Sequence, residues 1–115
     1  YEPYRTTGVR GSWRDMMTQP PGMLDLLIGA DSSGHWPQVH AIGDEANGYL
    51  MDMLERIIAK HGERDRRFRL VHSQVMTDRD IERGGRMGIV AEVQPFHVSD
   101  DMRWMEERIG RERSR

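Results

Sequence analysis

Val39-His40-Ala41-Ile42-Gly43-Asp44 decides how this chain is read. An apolar run carrying one histidine meets Gly43 and Asp44, the pattern of a buried strand that ends in a tight turn and opens a helix. Phe68-Arg69-Leu70-Val71-His72 repeats the strand half, and its histidine lies 32 residues beyond His40. That interval is about one strand–helix unit of a parallel barrel in which roughly 250 residues are shared among eight units. Histidines at the carboxyl ends of successive parallel strands face one mouth, which is how such a barrel builds a metal site.

Working outward, Trp36 to Ile42 reads as the first strand, with Pro37 tolerated only at its start. Asp44 is a good N-cap for the helix that follows. In that helix Ala46, Tyr49, Leu50, Met53, Leu54, Ile57 and Ile58 keep the i, i+3, i+4, i+7 rule, and it ends near His61-Gly62. Upstream, residues 23–33 read as a short helix carrying Leu24, Leu27 and Ile28, with Gly34 as its stop. Residues 1–22 hold Pro3, Gly8, Gly11, Pro20, Pro21 and Gly22 and read as a loop-rich lead-in, anchored by Tyr4, Trp13 and Met16.

Downstream of His72, Thr77 is the expected N-cap of a helix weakened by Gly84-Gly85 and closed by Gly88, with Ile81 and Met87 facing inward. Ile89 to Gln94 reads as the third strand, terminated by Pro95. A last helix is expected from Ser99 or Asp100 to Ile109, capped by Asp100 or Asp101 and stopped by Gly110. The order α-β-α-β-α-β-α means parallel strands with helical crossovers, all of residues 1–115 forming part of one domain.

Composition narrows the classes. The chain has 115 residues, no cysteine and a net charge of −2. Disulfides, thiolate metal sites and a cysteine nucleophile are excluded, and no global basic field invites nucleic acid. A reducing cytoplasm is compatible with this. No apolar run approaches the roughly 18 residues a membrane span needs. Charge is dense, with one lysine, Lys60, among 17 basic residues, and its mixed-sign runs read as solvated surface. The start at Tyr1-Glu2-Pro3-Tyr4-Arg5 carries neither an initiator Met nor a signal-peptide pattern, so the expectation is the middle of a longer protein.

Chemistry is expected at the carboxyl ends of the strands. His40 ends the first, His72 ends the second, and His97 follows the third after Gln94-Pro95. Neutral imidazoles suit zinc and similar metals. His35 and His61 fall outside the pattern and read as structural or surface residues. Asp44 has two open roles, helix cap or a carboxylate orienting a histidine from behind. Gln94 could donate to a substrate carbonyl or satisfy backbone at the strand end. Glu92 alternates with Val93 and could face the barrel interior, where it would need a partner.

Four motifs carry a family resemblance: Tyr1-Glu2-Pro3-Tyr4, His40-Ala41-Ile42-Gly43-Asp44, Arg69-Leu70-Val71-His72-Ser73-Gln74, and Gln94-Pro95-Phe96-His97 followed by Asp101-Met102-Arg103-Trp104. Together they resemble the amidohydrolase family 3 branch of the metal-dependent hydrolases, the YtcJ-like group. The resemblance implies part of a (β/α)₈ TIM barrel, about its fifth to seventh units, with one or two divalent metals, usually zinc. His40 and His72 would be the metal ligands at the ends of the fifth and sixth strands. Gln94 and His97 would line the pocket of a small amide-like substrate. The implied reaction is hydrolysis of C–N bonds other than peptide bonds by metal-activated water.

The family's His-x-His pair, its bridging lysine and its eighth-strand aspartate have no counterpart in these residues, and Lys60 sits at the wrong end of its helix to substitute. No residue of this chain is therefore assigned as a catalytic acid or base. Two functions remain open: a segment of a metal-dependent amidohydrolase, or a non-catalytic α/β module whose exposed barrel edges bind partners or a second copy.

Overall fold

The structure is a computed structural model that describes residues 4–5, 7–19 and 21–114. Tyr1-Glu2-Pro3, Pro20 and the side chain of Met16, all used in the sequence reading, lie outside the described residues. Nine elements follow one another: α1 (Asp15–Thr18), α2 (Met23–Ser32), β1 (Gln38–Ala41), α3 (Asp44–His61), β2 (Arg69–His72), α4 (Asp78–Met87), β3 (Val90–Glu92), α5 (Pro95–Asp101) and α6 (Met105–Ile109), counted among the described residues. The strands form one parallel sheet in the order β1-β2-β3. Parallel neighbours joined through helices are the arrangement that the alternation of periodicities implies.

The register pairs His40 with Val71 and Ala41 with His72. Residues in register share a face of the pleat. Val39, Ala41 and Leu70 therefore share one face, and it packs on the apolar stripe of α3: Leu50, Met53, Leu54 and Ile57. Met51 joins them with no exposed surface, so the buried stripe is wider than the seven periodic positions. Tyr49, on the same periodicity, is exposed and instead meets the Trp13 ring at 5.2 Å.

Several boundaries move, each for a local reason. The strands are shorter than their apolar runs, since pairing begins only after Pro37 and ends at Glu92. The N-cap of α3 is Gly43, not Asp44; Asp44 is the first helical residue, and its Oδ1 accepts from the Glu45 N–H at 2.8 Å. Thr77 does cap α4, accepting from the Asp80 N–H at 3.2 Å. The expected last helix is two short ones, α5 and α6, separated at Met102 to Trp104. Pro95 does not end the third strand, which stops at Glu92; it opens α5, since its missing N–H costs nothing in a first turn. Asp101 is no helix cap: it closes α5, is buried, and accepts a hydrogen bond from the Gln74 amide.

Ile81 does not face inward; it is 57% exposed. The buried face of α4 is charged, made of Asp80, Arg83 and Gly84. Arg83 reaches Asp52 at 2.5 Å, Glu55 at 2.8 Å and Asp80 at 2.8 Å, bolting α4 to α3. The hydrogen bond from Arg83 holds the Glu55 carboxyl below the usual range despite partial burial. Apolar periodicity cannot reveal a helix face that is buried through ion pairs. Gly85 on the same helix has open space where a Cβ would stand. Gly85→Ala is expected to raise stability by about 0.5–1 kcal/mol, read from the urea midpoint at unchanged slope.

A second polar bolt closes the other end. Asp31, at the end of α2, is fully buried. It accepts from His61 at 2.6 Å, from Arg64 at 2.6 Å and from the buried Arg66 at 2.8 Å. His61 is thus structural, as its place in the last turn of α3 suggests. Burial pushes the Asp31 carboxyl up, but the hydrogen bonds from Arg66, His61 and Arg64 outweigh it and hold the group at about 2, below its ordinary 3.8. A depressed carboxyl stabilises the fold above its unfolded value. The contribution is expected to be complete above about pH 4 and lost as pH falls through about 2, a loss on the order of 2 kcal/mol. Urea unfolding across that window, with Asp31→Asn as reference, measures it.

Candidate metal and substrate site

His40 closes β1 one residue before its end, and its side chain lies on the face opposite the α3 core. His72 pairs with Ala41, whose side chain is buried in that core. Regular pleating would therefore aim the two histidines at opposite faces. They are nevertheless adjacent, with ring centroids 4.7 Å apart and planes at 84°. The backbone accounts for this. His72 has φ +76° and Ser73 φ +49°, both in the left-handed region that non-glycine residues rarely adopt. The reversed φ at His72 swings its Cβ off the core face. Strain of about 1–3 kcal/mol per residue is expected for such conformations, which cluster at functional sites.

Three contacts hold the bend. Ser73 Oγ donates to the Leu70 carbonyl at 3.1 Å, and the Val75 N–H donates to the Ile42 carbonyl at 2.9 Å. The third is Asn47, fully buried in the first turn of α3. Its Nδ2 lies 3.2 Å from the Ile42 carbonyl, 3.0 Å from that of Gly43 and 2.9 Å from that of Val75. The loop after β1 and the loop after β2 are tied through this one amide. Sequence reasoning missed Asn47. The available signal is an asparagine inside an otherwise apolar helical stripe, a place where its propensity is poor.

His97, in the first turn of α5, brings a third ring to 5.6 Å from His72. Gln94 sits between strand and helix: its Nε2 donates to the Glu92 carbonyl at 3.1 Å and its Oε1 accepts from His72 Nδ1 at 2.5 Å. His72, His97, Gln94, Gln74 and Asp101 border a recess of about 380 Å³. Glu92 has the partners its position requires, accepting from Gln38 Nε2 at 2.7 Å and pairing with Arg69. Asp44 lies beside this group rather than within it. Its bonds include those to the Glu45 N–H and to Arg113 at 3.3 Å. His35 is exposed.

The donor set can be tested against a metal. With Nδ1 engaged by an amide oxygen, His72 offers Nε2, and among the described residues that atom makes no hydrogen bond. A ligating histidine whose other nitrogen is held in this way is the usual arrangement at metal sites. Two neighbouring neutral imidazoles suit zinc, copper, nickel or iron better than magnesium or calcium. Among the described residues no group of three histidine or carboxylate side chains comes together to hold an ion. His40 and His72 thus fit as part of a ligand set.

Comparison with known proteins identifies the family. The model of the amidohydrolase family matches residues 1–115. Protein LONG AFTER FAR-RED 3 of Arabidopsis thaliana is 41% identical over 95 residues, covering 83% of this chain and 16% of that protein. The YtcJ protein of Bacillus subtilis is 38% identical over 88 residues, covering 76% of this chain and 16% of its own length. The chain thus spans about one sixth of the curated relatives it matches. An uncharacterized metal-dependent hydrolase from Pyrococcus furiosus superposes with a TM-score of 0.72 at 25% identity, over 97% of this chain and 22% of that one. One from Pyrococcus horikoshii gives 0.68 at the same identity, over 97% and 21%. With a family model that covers every residue and relatives 38–41% identical over three quarters or more of its length, the chain belongs to the amidohydrolase family.

Proposed function

We propose that these residues form part of the active site of a metal-dependent hydrolase acting on C–N bonds of small amide-like molecules. The observation that carries this reading is the 4.7 Å approach of His40 and His72 at the carboxyl ends of adjacent parallel strands. A divalent metal, with zinc the best match to two neutral imidazoles, supplies Lewis acidity and an activated water when bound. His40 and His72 hold it from one side. His97 and the recess beside Gln94 bind and orient the substrate next to that position. Asp44 stiffens the turn after β1 that carries His40. The edges of β1 and β3, unpaired among the described residues, and the exposed Val93, Phe96 and Val98 that follow β3 are where further strands or a second copy pair.

The test uses a protein of the relatives' length carrying this segment, loaded with zinc, on N-acyl amines and matched esters. Hydrolysis of the amides, falling at least 100-fold in His40→Ala and in His72→Ala, is expected. Ester hydrolysis with no amide hydrolysis overturns the C–N assignment. For the 115-residue chain alone, two imidazoles predict zinc binding in the micromolar range or weaker and no turnover, measurable by calorimetry.

A further inference from the structure

The hydrogen bonds around Gln94 determine more than its own orientation. The Glu92 carbonyl can only accept, so the group of Gln94 lying 3.1 Å from it is the NH₂. The other end of the amide, Oε1, then faces His72 Nδ1 at 2.5 Å. An amide oxygen also only accepts, so that ring nitrogen carries the proton. The geometry points to Gln94 as a positioning residue that holds His72 as its Nδ1–H tautomer, leaving the Nε2 lone pair for a ligand.

The assignment fits the strain at this point of the chain. His72 sits at φ +76°, where its ring has left the core face. In the structure the only side-chain hydrogen bond of that ring, among the described residues, is the one to Gln94. Gln94 in turn is fixed by β3, the neighbour of β2, through the Glu92 backbone. A strand-to-strand relay thus runs from the β3 backbone, through one amide, to the imidazole. The same amide borders the recess beside His97, but both its ends are already engaged by the protein. Its main duty is therefore to His72 rather than to a substrate carbonyl.

The tautomer rests on these hydrogen bonds alone; its consequence for metal affinity rests on the function proposed above. Two variants of the 115-residue chain separate them. Gln94→Met keeps length and removes the strong acceptor, and Gln94→Glu keeps an acceptor opposite Nδ1. Histidine ¹⁵N chemical shifts, recorded metal-free where imidazoles are neutral, report the tautomer directly. The wild-type His72 is expected as Nδ1–H, Gln94→Met to shift it toward Nε2–H, and Gln94→Glu to retain Nδ1–H. Amide dispersion in the same spectra shows that each variant is folded. Wild-type His72 in the Nε2–H form, or Gln94→Met with the wild-type tautomer, overturns the assignment. A zinc titration follows, with affinity in Gln94→Met expected to fall about 10–100-fold. Zinc that leaves His72 of the wild-type chain unshifted, once its ring is shown to be Nδ1–H, overturns the metal reading and leaves the positioning of the ring established.

Discussion

Asp31→Ala is expected to destabilise the chain by about 3–5 kcal/mol, measured by urea unfolding at neutral pH. The carboxylate is fully buried and gathers three donors, His61 from the last turn of α3 and Arg64 and Arg66 from the loop after it. Removing it leaves the Arg66 guanidinium, 3% exposed, with a buried charge and no counter-charge on Asp31. The penalty is that of an orphaned charge rather than of a lost contact, and this separates the outcomes of two substitutions. Asp31→Asn keeps an oxygen for Arg66 and should cost distinctly less. The alanine variant should also lose the acid-dependent component of stability between about pH 4 and 2, because the group responsible is gone. A cost under 1 kcal/mol for Asp31→Ala would mean that Arg64 and Arg66 are solvated in the folded chain and that this bolt is absent.

Asn47→Leu comes next, at about 2–3 kcal/mol, and Asn47→Asp should cost more although it is the smaller chemical change. Leucine fills the volume but abandons the donors. The Gly43 carbonyl retains the Asn47 backbone N–H, and the Ile42 carbonyl retains the Val75 N–H. The Val75 carbonyl is left to bear the loss, and a buried unsatisfied carbonyl costs about 1–3 kcal/mol. Aspartate sets oxygen against three carbonyl oxygens in a site with no exposed surface, so it must either protonate or break the clamp. The reverse order of the two variants would show that packing, not donation, is what Asn47 supplies. The clamp joins the loops bearing His40 and His72, so both variants should also weaken zinc binding. Ile57→Ala, a core change about three turns further along α3, should not.

The parts of the fold that were legible in the sequence are those in which burial is apolar. The α3 stripe, the turn at Gly43 and the Thr77 cap all announce themselves through residue type and spacing. The parts that were not legible are those in which burial is polar. Arg83 and Asp80 cover the inner face of α4, and Asp31 lies under α3, but charged residues read as surface in a sequence. The site divides in the same way. The meeting of His40 and His72 follows from their place at two strand ends, yet the strand register alone would have parted them. What reunites them is a left-handed backbone at His72 and Ser73, which neither residue type advertises. The Gln94–His72 bond was hidden because it depends on how far β3 extends and where Pro95 turns the chain into α5.

The central claim is that His40 and His72 take hold of the same ion. It is tested most directly by following the ring nitrogens of both histidines while zinc is added to the 115-residue chain, and repeating the titration with His40→Ala and His72→Ala. The expected result is that His40 and His72 shift together, with one shared saturation curve, and that removing either abolishes the response of the other at the same zinc concentration. A His72 response unchanged in His40→Ala, or two histidines saturating at different zinc concentrations, would contradict a shared site.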